Sequence, residues 1–136
     1  MHQKDFNGWN ALKQKIHHRS GDSVPSIKER EIWWCSIGVN VGDEEDGHND
    51  LYNRPVLVVR KFNRRIFWGL PLTSKIKDNP FYFPLELKGV KSCAMLSQLR
   101  LYDTKRLKGH TALMGTLPAH QFNEVIKAIK ALLPSQ

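Results

Sequence analysis

One arginine stands where its side chain could act on a phosphate group. Arg54 follows a long polar segment and directly precedes the apolar run PVLVVRKF, residues 55–62. We expect this junction to hold the backbone of Arg54 firmly while its side chain reaches a surface groove. The planar guanidinium group matches the geometry of a phosphate and stays charged at every working pH. The spacing alone supports equally well a salt bridge from Arg54 to the acidic residues just before it.

Two hydroxyl side chains, Thr73 and Ser74, end the next apolar run in the block GLPLTSK. Hydroxyl groups at such a position can donate hydrogen bonds to a phosphate oxygen. They can equally close a turn, and without other information the turn is the favoured interpretation for both residues.

Acidic residues are concentrated in the polar segment before Arg54, although the chain as a whole is basic. The formal net charge is +8, yet five of the thirteen Asp and Glu residues fall within residues 42–50. They are Asp43, Glu44, Glu45, Asp46 and Asp50. The rest of the chain is therefore strongly basic, which suits a polyanion such as nucleic acid. A basic surface that serves only solubility is the alternative.

Several classes of chemistry lack their motifs in this sequence. There is no Gly-rich phosphate loop, no HExxH, no GxSxG and no Cys/His nucleophile pair. Cys35 and Cys93 lack CxxC spacing and stand in apolar contexts, so we expect buried free thiols. The six histidines are scattered, and we expect each of them, His48 included, to be a surface residue rather than a base. The sequence thus predicts neither a metal nor a cofactor.

Length and hydropathy favour a cytoplasmic protein without a membrane segment. The 136 residues can bury a core of their own. No run of about 18 apolar residues is present, and the opening MHQKDFNGWNALKQK lacks the apolar centre of a signal peptide.

The candidate residues must be positioned by a small β-rich domain. Apolar spacing predicts a helix over residues 5–19 with Asp5 as its N-cap, then a linker, 20–26, and a main domain, 27–136. The strand-like segments are 31–38, 55–62, 66–73, 80–87 and 92–103, the last being one long strand or two strands with a bend. Pro118 opens a helix with one apolar stripe. Short strands closed by one helix predict a curled antiparallel barrel.

The order of several blocks resembles a known family. EIWWCSIGVNVGDEEDG followed by RPVLVV, then GLPLTSK, SCAMLSQLRLYDTKRL and ALMGTL before a last helix, are similar to the MazF/PemK-type toxins. These toxins are endoribonucleases of bacterial toxin–antitoxin systems. The resemblance covers about residues 29–133 and leaves the N-terminal segment, 1–26, outside.

This resemblance implies a fold, an activity and partners. The fold is a small SH3-like antiparallel β-barrel, mainly β with α, that carries a C-terminal helix and here an extra N-terminal helix. The activity is sequence-selective cleavage of single-stranded RNA without a metal, in which the 2′-hydroxyl attacks the adjacent phosphate and leaves a 2′,3′-cyclic phosphate and a 5′-hydroxyl. The partners are a cognate antitoxin and a second copy of the chain, with a dimer seam at SCAML and the C-terminal helix.

The resemblance also assigns roles to individual residues. Arg54 and Thr73 match the residues that serve the phosphate, and both are catalytic candidates together with Asp43 and Ser97. Asp43 stands where many relatives have histidine, Ser97 where an acidic residue is frequent, and Met95 where some have a catalytic arginine. The RNA-binding candidates are Asn53, Ser74, Lys75, Gln98 and Arg100. Which residue is the general base or acid stays open.

The long polar segment from Gly38 to Asn53, called the acidic loop below, is the feature with the most alternatives. A loop of this length is usually functional or disordered. Its carboxylates could gate access of RNA to Arg54, or they could only balance the basic body. Besides a ribonuclease, we consider a catalytically impaired RNA-binding or antitoxin-binding module and a domain whose groove binds an acidic peptide. A groove plugged by Tyr52 or by the N-terminal helix would disfavour catalysis.

Overall fold

The structure is a computed structural model that describes residues 3–135. Its helices and strands in chain order are α1 (Phe6–His17), β1 (Glu31–Ser36), β2 (Asn53–Lys61), β3 (Ile66–Thr73), β4 (Tyr82–Leu87), β5 (Val90–Met95), β6 (Arg100–Asp103), β7 (Leu113–Thr116) and α2 (Ala119–Lys130). Met1, His2 and Gln136, at the outer ends of the predicted segments 1–26 and 27–136, lie outside the described residues. The boundary between these two segments stays a prediction.

All strands pair antiparallel in one sheet with the neighbour order β4-β5-β3-β2-β1-β7. The remaining strand, β6, pairs with residues 66–69 of β3, whereas β5 pairs with residues 72–73 of the same strand. A 3-10 turn, Leu96–Gln98, separates β5 from β6 and allows them to take different halves of β3. The alternative of two strands with a bend over 92–103 is therefore confirmed.

The sheet is curled like the expected small SH3-like barrel, but backbone pairing does not close it within residues 3–135. Register shifts between Ile32 and Trp33 in β1 and between Val58 and Arg60 in β2 bend the sheet. Its two outer ends are bridged by a hydrogen bond from a side chain to the backbone, in which Lys88 after β4 donates to the carbonyl of Met114 in β7 at 3.0 Å. The mainly β, antiparallel fold is confirmed, and its barrel is open.

Strand β2 forms the centre of the domain because both of its faces are buried. Val56 and Val58 contribute to one apolar cluster, and Leu57 and Val59 contribute to the cluster on the opposite face. The continuous apolar run of this strand is the pattern that a strand covered on both sides requires. Helix α2 covers the second cluster through the predicted apolar stripe, of which Val125 is fully buried.

Helix α1 follows the prediction closely and packs on the domain. The Asp5 side chain accepts a hydrogen bond from the backbone N–H of Gly8, which confirms it as the N-cap. Trp9 and Ile16 are buried. None of the helices within residues 3–135 has the length and apolar character needed to cross a membrane.

Two strands begin earlier than predicted. Strand β2 begins at Asn53 rather than at Pro55, because Asn53 and Arg54 pair with Ser36 and Cys35 of β1. Strand β5 begins at Val90, because Lys88 and Gly89 alone make the turn. Their φ angles of 52° and 79° suit the type I′ turn of a two-residue hairpin, whose twist matches that of the strands.

Candidate active site

A groove of about 570 Å³ opens beside the end of β3 and the start of β2. Its polar part contains five residues predicted from the sequence, Asn53, Arg54, Thr73, Ser74 and Lys75. Its apolar part includes Ile32, Trp34, Leu87, Val90 and Met114. The charged groups lining it are one carboxylate, Glu45, against Arg54 and the lysines Lys75, Lys77, Lys88 and Lys91. The groove is therefore a basic surface with an apolar floor.

Strand register explains why Arg54 and Thr73 share this groove. At this end of the hairpin between β2 and β3, Leu57 pairs with Leu70 and Val56 pairs with Pro71. Continuing that register by two residues places Arg54 opposite Thr73. On its other side Arg54 pairs with Cys35 of β1, so its backbone is held within the sheet as the sequence suggested.

The guanidinium group of Arg54 has a partner at each of its nitrogens. Nε donates to the carbonyl of Asp46 at 2.9 Å, and Nη1 donates to the carbonyl of Leu72 at 3.2 Å. Nη2 lies 2.7 Å from Nε2 of His48 and 2.8 Å from a carboxylate oxygen of Glu45. Only 7% of Arg54 is exposed.

Of the two interpretations of Arg54, the structure shows the salt bridge, while action on a phosphate stays a prediction. Arg54 lines the groove, and it also makes a salt bridge to the acidic loop through Glu45. The Glu45 carboxylate occupies the position in which an incoming phosphate oxygen would meet Nη2. A phosphate must therefore displace Glu45 before it can bind this arginine at Nη2.

Of the two roles considered for Thr73, the structure shows the turn contact, and this contact is compatible with the other role. Its Oγ1 accepts a hydrogen bond from the backbone N–H of Lys75 at 3.2 Å, which closes the turn after β3. Because a hydroxyl has both acceptor and donor capacity, this contact leaves the hydroxyl proton able to point at a phosphate oxygen. Ser74 and Lys75 follow on the exposed part of the turn.

The remaining predicted site residues lie on the other side of the acidic loop. Asp43, Ser97, Gln98 and Arg100 border a second depression with Glu44 and Pro71. The structure does not bring Asp43 or Ser97 together with Arg54 and Thr73 in the groove. Glu45 borders both depressions, so the loop forms the wall between them.

Gln98 has a visible structural task. Its side chain donates to the carbonyl of Asp43 at 3.2 Å and accepts from the backbone N–H of Glu45 at 3.2 Å. Gln98 thus positions the acidic loop from the side away from the groove.

The guanidinium of Arg100 lies 4.9 Å from the ring centre of Tyr102.

His48 was not selected from the sequence, yet it lies in the groove in contact with Arg54. Arginine cannot accept a hydrogen bond, so in this contact Nε2 of His48 is the acceptor, which corresponds to the tautomer with its proton on Nδ1. The backbone groups of His48 and Asn53 bond to each other at 2.8 and 2.9 Å, which closes the turn between them. The turn-forming residues in HNDLYN are the sequence signal for the turn that brings His48 back beside Arg54.

Neither Tyr52 nor α1 blocks the groove. The Tyr52 hydroxyl donates to Asp5 at 2.6 Å, and its ring centre lies 5.7 Å from that of Trp9 in α1. Tyr52 is therefore turned away from the groove, toward the N-terminal helix.

Cysteine and metal chemistry find little support in the geometry. Cys35 and Cys93 are free and buried, as expected, and burial raises the pKa of the Cys35 thiol to about 12. Across the part of the chain that the structure describes, no three His, Cys, Asp or Glu side chains are grouped so that they could hold a metal ion.

Comparisons with solved structures agree on the fold. MazF from Deinococcus radiodurans aligns with a TM-score of 0.56 and 21% identity over 80% of this chain and 96% of its own. An endoribonuclease from a Mycobacterial species, solved in complex with its cognate antitoxin, aligns with a TM-score of 0.60 and 15% identity over 82% of this chain and 100% of its own. At such identities these likenesses show the fold alone. None of the curated protein sequences matches the chain.

A family model identifies the relationship more specifically. The model of the PemK-like, MazF-like toxins of type II toxin–antitoxin systems matches residues 28–133. The match includes the sheet, α2 and the whole groove, and it leaves α1 outside. The chain therefore belongs to the PemK-like, MazF-like toxin family of type II toxin–antitoxin systems.

Proposed function

We propose that this protein is the toxin of a type II toxin–antitoxin system and acts as a metal-independent endoribonuclease on single-stranded RNA. The observation that carries the proposal is the pairing of a sheet-anchored arginine, Arg54, with Thr73 across one basic groove. Structural neighbours described as MazF and as an endoribonuclease support the same activity.

The groove supplies what phosphodiester cleavage by a neighbouring hydroxyl needs. The ribose 2′-oxygen forms a bond to phosphorus, and the bond from phosphorus to the 5′-oxygen breaks. Negative charge grows on the other phosphate oxygens in the transition state. The Arg54 guanidinium, freed from Glu45, and the Thr73 hydroxyl are the donors that stabilise this charge.

Proton transfer in this proposal falls to His48 rather than to Asp43 or Ser97. Once a phosphate takes the Arg54 N–H groups, the neutral Nε2 of His48 is free to accept the proton of the 2′-hydroxyl. Asp43 and Ser97 would need the acidic loop to move before they could reach the same phosphate. The 5′-oxygen takes its proton from water, since the groove is open to solvent.

The apolar part of the groove and the surrounding lysines suit an antitoxin as a protein partner. An antitoxin segment with both acidic and apolar side chains fits this surface by charge and by hydrophobic contact.

We also propose a homodimer, but its seam does not include the whole SCAML block, because Cys93, Ala94 and Met95 are buried inside the chain.

A second candidate function rests on the occupied state of Arg54. If Glu45 never leaves, the protein binds RNA or an antitoxin without cutting RNA. The salt bridge between Arg54 and Glu45 is the specific observation in favour of that alternative.

Incubation with a long single-stranded RNA in EDTA, followed by mapping of the ends, separates the two candidates. The proposal predicts discrete cuts with 5′-hydroxyl and 2′,3′-cyclic phosphate ends, and no cuts in the same sequence as a perfect duplex. RNA binding without cleavage, both in EDTA and with an added divalent cation, would establish the non-catalytic module. A strict requirement for a divalent cation would refute metal independence.

A further inference from the structure

The N-terminal segment, residues 3–26, lies outside the family match yet touches the acidic loop directly. Lys4 makes three of these contacts with its ammonium group. It donates to the carbonyls of Asn40 at 2.6 Å and Gly42 at 2.8 Å, and it pairs with the Asp46 carboxylate at 3.2 Å. One side chain thus binds the loop both before its acidic run and at the last residue of that run.

The second half of the loop is held by α1. The Tyr52 hydroxyl donates to Asp5, and this hydrogen bond lowers the pKa of the Asp5 carboxyl, which keeps it a charged acceptor. The Trp9 ring packs on Tyr52 and on Gly38, the first residue of the loop. Gly38 has a φ of +87° and no room for a side chain beside Trp9, so glycine is needed there.

The segment is itself fixed to the body of the domain. Arg19 donates to the carbonyl of Lys105 at 2.6 Å, and the Lys105 ammonium donates to the carbonyl of His17 at 3.1 Å. The Arg106 guanidinium lies 5.8 Å from the Trp9 ring centre and donates to the carbonyl of Ser36 at 2.9 Å. The contacts of Lys4 and Tyr52 therefore tie the loop to an anchored element.

These contacts lead to Arg54 without a break. Asp46, whose carboxylate binds Lys4, gives its carbonyl oxygen to Arg54 Nε, and its neighbour Glu45 pairs with Nη2. We propose that the N-terminal segment is a positioning element that holds the acidic loop closed over Arg54, so that Lys4 and Tyr52 lower the affinity of the groove for single-stranded RNA by keeping Glu45 in the place of a phosphate. The identity of the ligand rests on the proposed function.

The test is a pair of side-chain changes that leave Trp9 and the helix in place. Lys4→Gln with Tyr52→Phe removes the ammonium and the hydroxyl but keeps the aromatic packing. Affinity is measured by fluorescence anisotropy with a 2′-O-methyl single-stranded oligonucleotide, which cannot be cleaved. We expect binding to tighten about three- to tenfold, because ion pairs and hydrogen bonds between exposed or partly exposed groups are individually weak.

The matched control is Lys13→Gln, which removes the same charge from an exposed position of α1. Loss of a positive charge alone weakens binding to a polyanion, so Lys13→Gln should bind RNA slightly more weakly. The two lysine changes are thus expected to act in opposite directions. Unchanged or weaker binding in the Lys4 and Tyr52 variant would overturn the proposal.

A double-mutant cycle shows whether the effect passes through Glu45. In a Glu45→Gln background the Lys4 and Tyr52 changes should no longer tighten binding, because the competing carboxylate is already gone. The same tightening in both backgrounds would refute the route through Glu45.

Hydrogen exchange gives a readout that needs no RNA. The amide of Asn40 donates to the Asp46 carboxylate at 2.7 Å, and that of Gly47 donates to the Gly38 carbonyl at 2.8 Å. Both amides should exchange faster in the Lys4 and Tyr52 variant, while those of β2 stay protected. If neither the unchanged chain nor any variant binds RNA, the proposed function fails. Unchanged exchange of the two loop amides in the Lys4 and Tyr52 variant would then reject the positioning role as well.

Discussion

Glu45→Gln is expected to tighten the binding of single-stranded RNA, because it weakens the group that competes with phosphate for Arg54. The carboxylate lies 2.8 Å from Nη2, and the two side chains are 9% and 27% exposed. A hydrogen bond to a charged group contributes about 1.5–3 kcal/mol net, and the partial exposure of Glu45 reduces this to about 1–2 kcal/mol. At 1.4 kcal/mol per factor of ten, the dissociation constant should fall about 5- to 30-fold.

The assay compares Glu45→Gln with Glu44→Gln, using the uncleavable 2′-O-methyl oligonucleotide at several salt concentrations. Both changes remove one negative charge from the same loop, so they share any long-range gain, which fades as salt rises. Glu44 bonds to the backbone N–H of Val41 and does not contact Arg54, and glutamine can keep that bond. The difference between the variants therefore measures the contact itself. Equal tightening in both would refute the competition between Glu45 and phosphate and leave only a diffuse charge effect.

Three further predictions concern the groove, the loop and the core. Thr73→Val removes one neutral donor with little change of shape, so the cleavage rate should fall about tenfold while the affinity for uncleavable RNA stays within twofold; an unchanged rate would leave Thr73 as a turn residue only. Gly47→Ala should lower the melting temperature and speed amide exchange in the acidic loop, because the added Cβ would overlap the backbone carbonyl of Tyr52, whereas Gly21→Ala has open space and should change neither. Thiol titration at pH 8 should find no fast-reacting cysteine in the native protein and two after unfolding, because both cysteines are buried. A pKa of about 12 also leaves only about 10⁻⁴ of the Cys35 thiol ionised at that pH. Rapid labelling of the native protein would contradict this.

The sequence predicted the framework of the site because the framework depends on short-range patterns. The apolar run after Arg54 specified a strand that is buried on both faces. The hairpin that follows has the register that places Thr73 opposite Arg54. The stripe of α2 and the N-cap of α1 were readable for the same reason.

The contacts inside the acidic loop could not be read in this way. Asn49 and Tyr52 adopt positive φ angles of 67° and 48°. Asparagine tolerates such an angle but tyrosine rarely adopts one, so HNDLYN indicated a turn without showing that this turn returns His48 to Arg54. The five carboxylates of the loop look alike in the sequence, yet Glu45 pairs with Arg54 and Asp46 with Lys4. Asp43 and Ser97 were selected by resemblance; Asp43 lies on the side of the loop that faces away from the groove, and Ser97 borders the same second depression.

The most direct test of the central claim is the initial rate of RNA cleavage in EDTA by Arg54→Lys. Lysine keeps the positive charge but lacks the planar fork, so it cannot make the contacts that Arg54 makes through three nitrogens. Arg60→Lys is the control, since Arg60 lies on the same strand with an exposed side chain. The account predicts a fall of about 10²–10³ for Arg54→Lys and less than twofold for Arg60→Lys, with both proteins folded. A folded Arg54→Lys protein that cuts RNA at the rate of the unchanged chain would contradict it.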